Sequence, residues 1–104
     1  MFGYFDLPRI DYDISIEEIK ELEYDEFEVD LHELFADQAL NSIRRIVKHA
    51  PEHVKNIYVI HGYIGGTVLK NAITKNNLRS SRIRHINPTY NKGQSVIVFK
   101  SDDN

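Results

Sequence analysis

Two short segments of the chain combine side chains that can transfer protons with residues that allow a tight turn. One is Val29-Asp30-Leu31-His32, and the other is Ile60-His61-Gly62, followed closely by Gly65-Gly66. A histidine beside a carboxylate can act as a general base or acid, because imidazole titrates near neutral pH and the carboxylate orients it. The amides of a glycine-rich turn can hold a phosphate. These residue types suit phosphodiester cleavage, and the candidate catalytic residues are Asp30, His32 and His61.

Each segment must be positioned by a strand. Polar and apolar residues alternate from Glu26 to His32, which predicts a half-buried strand with Asp30 and His32 on one face. The apolar run 57–60 predicts a central strand. Because parallel strands end at the same edge of a sheet, we expect His61 to lie across that edge from Asp30 and His32.

The remaining elements are predicted from their caps and periodicity. Ser15, with a glutamate at the capping-box position, predicts a short helix over 16–22. Apolar residues at helical spacing predict a second helix over 36–49, and a third is expected to turn Val68, Leu69, Ala72 and Ile73 inward. A strand over 82–86, a loop over 87–93 and a last strand over 95–99 complete the chain. Alternation in the first of these strands places Arg82, Arg84 and Ile86 on one face.

This order predicts an α/β fold of the α+β two-layer sandwich type. After the short first helix the elements run βαβαββ, which gives a mixed sheet with parallel strands and a terminal hairpin. Residues 1–25 are expected to form an acidic N-terminal extension that carries the short helix, and residues 26–101 a single domain. A chain of 104 residues is long enough for one modest core.

Charge divides the chain into an acidic and a basic part. Residues 1–37 carry thirteen acids and two bases, whereas residues 38–101 carry eleven bases and one acid. A basic body suits a phosphate-bearing partner such as DNA or RNA, although both parts are equally compatible with ordinary solvated faces. The run around Arg82 can contact phosphates or simply guard an edge strand against aggregation. The candidate nucleic-acid-binding residues are Gly62, Gly65, Gly66, Lys70, Arg79, Arg82, Arg84 and Lys92.

Composition excludes several classes of protein. Cysteine is absent, so disulfides and thiolate chemistry are excluded. No stretch approaches the roughly 18 apolar residues of a membrane span, and the N-terminus lacks a signal-peptide pattern. We therefore expect a cytoplasmic protein without a membrane partner, and the sequence does not set its oligomeric state.

The motifs resemble those of the Smr (small MutS-related) domain family over about residues 27–100. Val29-Asp30-Leu31-His32 is similar to the family's LDLH signature, and Ile60-His61-Gly62 with the segment 65–70 is similar to its HGxGTGxLR signature. The segment 92–99 resembles the family's glycine-rich hairpin and last strand. The chain departs from the pattern at Glu33, where the family usually has glycine, and at Thr67, where the signature has its last glycine.

The resemblance implies a fold similar to the C-terminal domain of translation initiation factor three, binding to DNA or RNA, and endonuclease activity as in several members of the family. The residues leave other interpretations open. Asp30 can cap a turn, and both histidines can be satisfied by backbone groups. The sequence does not establish a cofactor; Mg²⁺ or Mn²⁺ at Asp30 stays open, and a zinc site from His32, His61 and a carboxylate lacks the usual close spacing. A catalytically inactive nucleic-acid or protein interaction module and a small-molecule phosphate binder are the alternatives.

Overall fold

A computed structural model describes residues 7–62 and 67–101. Within these ranges four helices and five strands form. The strands are β1 (Arg9–Ile10), β2 (Glu26–Asp30), β3 (Asn56–Ile60), β4 (Ile83–Pro88) and β5 (Gln94–Phe99), and the helices are α1 (Ile16–Lys20), α2 (Ala36–His49), α3 (Thr67–Ala72) and α4 (Lys75–Leu78). None of the helices in the described ranges is long and apolar enough to cross a membrane.

The strands form one mixed sheet in the order β1-β2-β3-β5-β4. The first three strands are parallel, and β5 runs antiparallel to both of its neighbours. Helix α2 makes the crossover between parallel β2 and β3, and β4 and β5 form the terminal hairpin. The predicted mixed sheet is confirmed, with one additional strand, β1, at its edge.

The helices cover one face of the sheet. Phe27 and Val29 of β2, Ile57 and Val59 of β3 and Ile97 of β5 are all fully buried, while the alternate residues of the same strands are partly exposed. This period of two is the pattern of a sheet with one packed and one open face. Each such side chain contributes about 1.5–3 kcal/mol by its burial, so the packed face holds the two layers together.

The N-terminal segment is built into this fold. Ser15 caps α1 as expected: its Oγ accepts from the Glu18 amide at 3.1 Å, and Glu18 Oε1 accepts from the Ser15 amide at 3.4 Å. Ile19 of α1 is fully buried. An Arg45 guanidinium on α2 donates to the Tyr12 carbonyl at 2.9 Å. The segment 7–25 therefore contributes a strand, core side chains and a tie to α2.

The third predicted helix is two short helices. Thr74 caps α4, since its side chain accepts from the Asn77 amide at 3.2 Å, and this cap interrupts the helical run after α3. Leu69 and Ile73 are buried, as their spacing of four residues requires. Val68 is 65% exposed, so the prediction that it faces inward is wrong. Val68 and the buried Leu69 are adjacent in sequence, so their side chains leave the helix about 100° apart, and Val68 faces away from the core.

Strand β4 contains a bulge that changes which residues share a face. The pairing with β5 shifts between Ile83 and His85, which leaves Arg84 as the extra residue. Ile83 and Ile86 consequently both pair with buried residues of β5. The predicted face shared by Arg82, Arg84 and Ile86 is wrong, because strict alternation does not continue through a bulge.

Candidate functional site

Asp30 and His32 form a hydrogen-bonded pair at the end of β2. The His32 ring Nδ1 lies 2.5 Å from Asp30 Oδ1, and the same oxygen accepts from the His32 amide at 3.0 Å. A carboxylate only accepts hydrogen bonds, so Nδ1 carries the shared hydrogen. The His32 side chain is 48% exposed. Its other nitrogen, Nε2, is not used by Asp30 and can exchange a proton with a bound molecule.

The pair shifts the pKa of both members. Partial burial alone would raise the pKa of Asp30, but hydrogen bonds from the His32 side chain and backbone, helped by the charges of His32 and Arg9, hold it below its ordinary value. The hydrogen bond to Asp30 and its negative charge raise the pKa of His32. The carboxylate thus stays ionised while the imidazole holds its proton to a higher pH than usual.

Arg9 of β1 joins this pair from the neighbouring strand. Its Nε and one terminal nitrogen lie 2.8 and 2.6 Å from Glu28 Oε2, and its other terminal nitrogen lies 3.7 Å from Asp30 Oδ2. Sequence reasoning missed Arg9, because a two-residue strand gives no periodic pattern. The one available signal was a base within a strongly acidic segment.

A pocket of about 390 Å³ opens beside the pair. Acidic side chains dominate the charged part of its wall, and Glu33 Oε2 lies 3.7 Å from His32 Nε2. The pocket is bounded by β1, the turn that follows it and the loop after β2, so it exists only because the N-terminal segment joins the sheet. Its lining residues are Arg9, Ile10, Asp11, Tyr12, Asp30, His32, Glu33 and Leu34.

The first motif and the described part of the second, Ile60-His61-Gly62, lie side by side at the sheet edge. The Leu31 amide donates to the Ile60 carbonyl at 2.8 Å, and Gly62 has a φ of 80°. A Cβ atom on Gly62 would lie 3.4 Å from the Cβ of His32. The amides of His61 and Gly62 both donate to the Gly93 carbonyl, at 2.9 and 3.1 Å, so they are not available to a phosphate. The other predicted phosphate-binding glycines, Gly65 and Gly66, lie outside the described residues.

His61 does not face the pair. Asp30 pairs with Ile60 in the parallel register, so His61 is level with Leu31 and points to the packed face. It is 1% exposed. Its Nδ1 donates to the Gly62 carbonyl at 2.8 Å, which leaves Nε2 to bond Ser95 Oγ at 3.0 Å. The expectation that His61 works across the edge from His32 is wrong, since both its nitrogens serve the core.

The predicted basic residues fall at both ends of the sheet. Lys92 lies in the β4–β5 hairpin and Lys70 on α3, both exposed and both at the end where β2 and β3 finish. Arg79 and Arg84, also exposed, lie towards the opposite end, where β4 begins. A five-residue strand spans about 16 Å, so one compact ligand at Asp30 does not reach these arginines.

The Arg82 side chain makes intramolecular contacts near the end of α2. Its guanidinium donates to the Val47 carbonyl at 2.6 Å and the Pro51 carbonyl at 3.3 Å, and lies 4.9 Å from the ring centroid of Phe99. A cation at the C-terminus of α2 compensates the negative end of that helix. Arg82 therefore has a structural task that its place in a basic run does not reveal.

The described residues do not fit a resident metal ion. They contain no group of three or more His, Asp or Glu side chains placed to hold one. Asp30 uses one oxygen for His32 and turns the other towards Arg9. His32 and His61 lie on opposite faces of the sheet, so the two do not combine into a zinc site.

Comparison of the chain with protein-family models, with curated proteins and with solved structures finds no match.

Proposed function

We propose that this chain is an Smr-like nucleic-acid-binding domain that cleaves phosphodiesters at Asp30 and His32. The observation that carries the proposal is the exposed hydrogen-bonded pair of Asp30 and His32 at the sheet edge. Gly62 lies next to His32, and both members of the pair line a pocket. Leu31 and Ile60, which belong to the two segments that resemble the family signatures, are hydrogen-bonded at this edge, and this contact supports the proposal. A mixed sheet with helices on one face is compatible with the fold similar to the C-terminal domain of translation initiation factor three that the resemblance implies.

His32 would act as the general base. Asp30 accepts the Nδ1 hydrogen and fixes the tautomer in which Nε2 carries the lone pair. Above its raised pKa, His32 can take a proton at Nε2 from the hydroxyl or water that attacks the phosphorus. As that oxygen bonds to phosphorus, the bond from phosphorus to the leaving oxygen breaks, and the leaving oxygen takes a proton from solvent. Asp30 then stabilises the imidazolium that results. Such general-base assistance contributes typically about 10²–10⁴-fold to a rate.

Phosphate contacts at this edge would come from side chains. The His61 and Gly62 amides are already bonded to Gly93, and the exposed cations at this end of the sheet include Lys70, Lys92 and Arg9, of which Arg9 is already paired with Glu28 and Asp30. The acidic pocket wall beside Arg9 disfavours a phosphate within the pocket. The scissile phosphate would therefore lie on the lysine side of His32.

The test is cleavage of labelled single-stranded RNA and of supercoiled DNA by the purified chain, with and without Mg²⁺ or Mn²⁺. His32→Ala and Asp30→Ala should abolish cleavage while circular dichroism shows an intact fold. His53→Ala is the matched control, because His53 is an exposed histidine between α2 and β3, at the opposite end of the sheet. Cleavage that survives in His32→Ala would overturn the assignment of this site.

A second candidate function is a catalytically inactive nucleic-acid or protein interaction module. It is favoured by the occupation of His61, which leaves one histidine at the edge, and by Glu33 close to the working nitrogen of that histidine. The salt dependence of the binding affinity distinguishes a nucleic-acid-binding module from a protein-binding one. Phosphate contacts release counterions, so nucleic-acid affinity falls steeply with salt, whereas an apolar protein interface responds weakly.

A further inference from the structure

Three exposed hydrophobic side chains surround the edge at which Asp30 and His32 lie. Phe35 is 79%, Val68 65% and Tyr90 95% exposed. Phe35 caps α2 just after β2, Val68 is the second residue of α3, and Tyr90 lies in the β4–β5 hairpin. Exposed hydrophobic residues that share one end of a sheet can together form a binding surface.

Hydrogen bonds fix the backbone of the two turns that carry Phe35 and Tyr90. The Phe35 amide donates to Gln38 Oε1 at 3.1 Å, which fixes the start of α2. In the hairpin, Thr89 Oγ1 donates to Gln94 Oε1 at 2.9 Å, and Asn91 Oδ1 accepts from the Gly93 amide at 3.0 Å. The exposure of Phe35 and Tyr90 is thus built into capped and hydrogen-bonded turns, and the rings are available without rearrangement.

The hairpin is also tied directly to the site. The Gly93 carbonyl accepts from the Gly62 amide, and Gly62 packs against His32. Strands β2 and β5 are separated by β3, so the end of β2 and the hairpin lie about 10 Å apart. One short extended ligand can therefore touch Phe35, His32 and Tyr90 together.

We propose that this edge takes a single-stranded nucleic acid whose bases stack on Phe35 and Tyr90. Tyr90 lies two residues from the exposed Lys92 in the same hairpin, and aromatic rings near a cation match a ligand that alternates flat bases with phosphates. A duplex hides its base faces inside the helix, so only an unpaired strand can use these rings. The inference rests on the proposed function and adds its substrate class. Ribose and deoxyribose strands share this chemistry, and the test compares them.

The test is fluorescence anisotropy with a labelled ten-nucleotide RNA, the DNA of the same sequence and the corresponding DNA duplex. The protein is the full chain carrying His32→Ala, so that the ligand stays uncut. Phe35→Ala and Tyr90→Ala should each weaken single-strand binding at least about fivefold, since stacking on one ring typically contributes this much or more. Tyr24→Ala is the control, because Tyr24 is an exposed aromatic residue just before β2, at the other end of the sheet.

Conservative variants identify the type of contact. Phe35→Trp should keep the single-strand affinity, whereas Phe35→Leu should lose it, because a leucine offers apolar area without an aromatic face. If the Phe35→Leu variant bound the single strand as tightly as the protein with Phe35, the proposal would be overturned. A preference for the duplex would overturn it too. Preference for RNA or for DNA supports it in either case and names the sugar.

The outcomes also separate this inference from the proposed function. Cleavage by the unsubstituted chain that needs His32 but not Phe35 or Tyr90 overturns the stacking proposal and leaves the nuclease. Single-strand binding that needs both rings without any cleavage supports stacking and removes the catalytic role. Absence of binding to all three oligonucleotides overturns both.

Discussion

The backbone of Gly62 lies so close to His32 that a Cβ atom on the glycine would stand 3.4 Å from the histidine Cβ. Gly62 also has a φ of 80°, in the region that favours glycine. The glycine therefore allows β3 to end beside β2 and lets the chain turn away towards α3. The positive φ is thus the feature of this position that requires glycine, since a Cβ at this distance would only be in van der Waals contact with His32.

Replacing Gly62 should lower stability in a residue-dependent order. We expect Gly62→Ala to reduce the free energy of unfolding by about 1–2 kcal/mol, because an L-residue with a Cβ is strained at positive φ. Gly62→Asn should cost less, since asparagine tolerates this region better than alanine. Urea unfolding monitored by circular dichroism measures both. Equal stability of Gly62→Ala and the unsubstituted chain would contradict the observed turn.

The Asp30–His32 pair predicts the titration of His32. Asp30→Asn should lower the pKa of His32 towards the ordinary value of about 6.5, because the hydrogen bond to a carboxylate and its charge are the main causes of the raised pKa. Glu33→Gln should lower it less, since Glu33 acts only through its charge. NMR titration of the His32 ring measures the shift. A pKa unmoved by Asp30→Asn would show that the pair does not form in solution.

The same pair predicts a pH profile for cleavage. With His32 as the base, the rate should rise with pH through the raised His32 pKa and then level off. Asp30→Asn should move this midpoint to lower pH and lower the plateau.

The pair also makes the stability of the fold depend on pH, and the two residues act in opposite directions. The His32 contribution is present below its ordinary pKa and lost as pH rises through the raised one, and the Asp30 contribution is lost as pH falls through its lowered pKa.

Local signals in the sequence were enough for most of the fold. Ser15 with Glu18 predicts the start of α1, and the helical spacing over 36–49 matches α2 residue for residue. The bulge at Arg84 and the two-residue strand β1 escaped prediction, because both depend on pairing with a distant strand. Such pairings leave no periodicity in the chain itself.

For the candidate site, the sequence predicted the relationship between Asp30 and His32 but not the orientation of His61. The period of two in β2 placed Asp30 and His32 on one face, because that relationship is local. His61 was misplaced because its orientation depends on the register between β2 and β3. That register follows from packing across the whole sheet, and no motif in either strand reveals it.

Ser95→Ala should reveal the structural task of His61. Removing Oγ leaves the buried Nε2 of His61 without this partner, and an unsatisfied buried polar atom costs about 1–3 kcal/mol. Thermal and urea unfolding should show this loss, while cleavage at the Asp30 edge stays unchanged below the melting temperature. Ser42→Ala is the control, because Ser42 is a buried serine inside α2 and alanine is the better helix former there. Loss of cleavage in a folded Ser95→Ala protein would restore His61 to the site.

Arg82 and Arg84 are separated by one residue, and we predict opposite consequences for their replacement. Arg82→Ala should reduce the free energy of unfolding by about 2 kcal/mol, because it removes charge-assisted bonds to the Val47 and Pro51 carbonyls and the contact with Phe99. Arg82→Lys should recover only part of this, since a lysine lacks the planar fork. Arg84→Ala should change stability by less than about 0.5 kcal/mol, because Arg84 is exposed.

If nucleic acid extends from the Asp30 edge to this end, Arg84→Ala should also lower the salt dependence of binding, with the slope smaller by about one unit. Denaturant unfolding and salt-dependent anisotropy on the same proteins measure both effects, and a stable Arg82→Ala variant that loses affinity would show that Arg82 serves the ligand rather than α2.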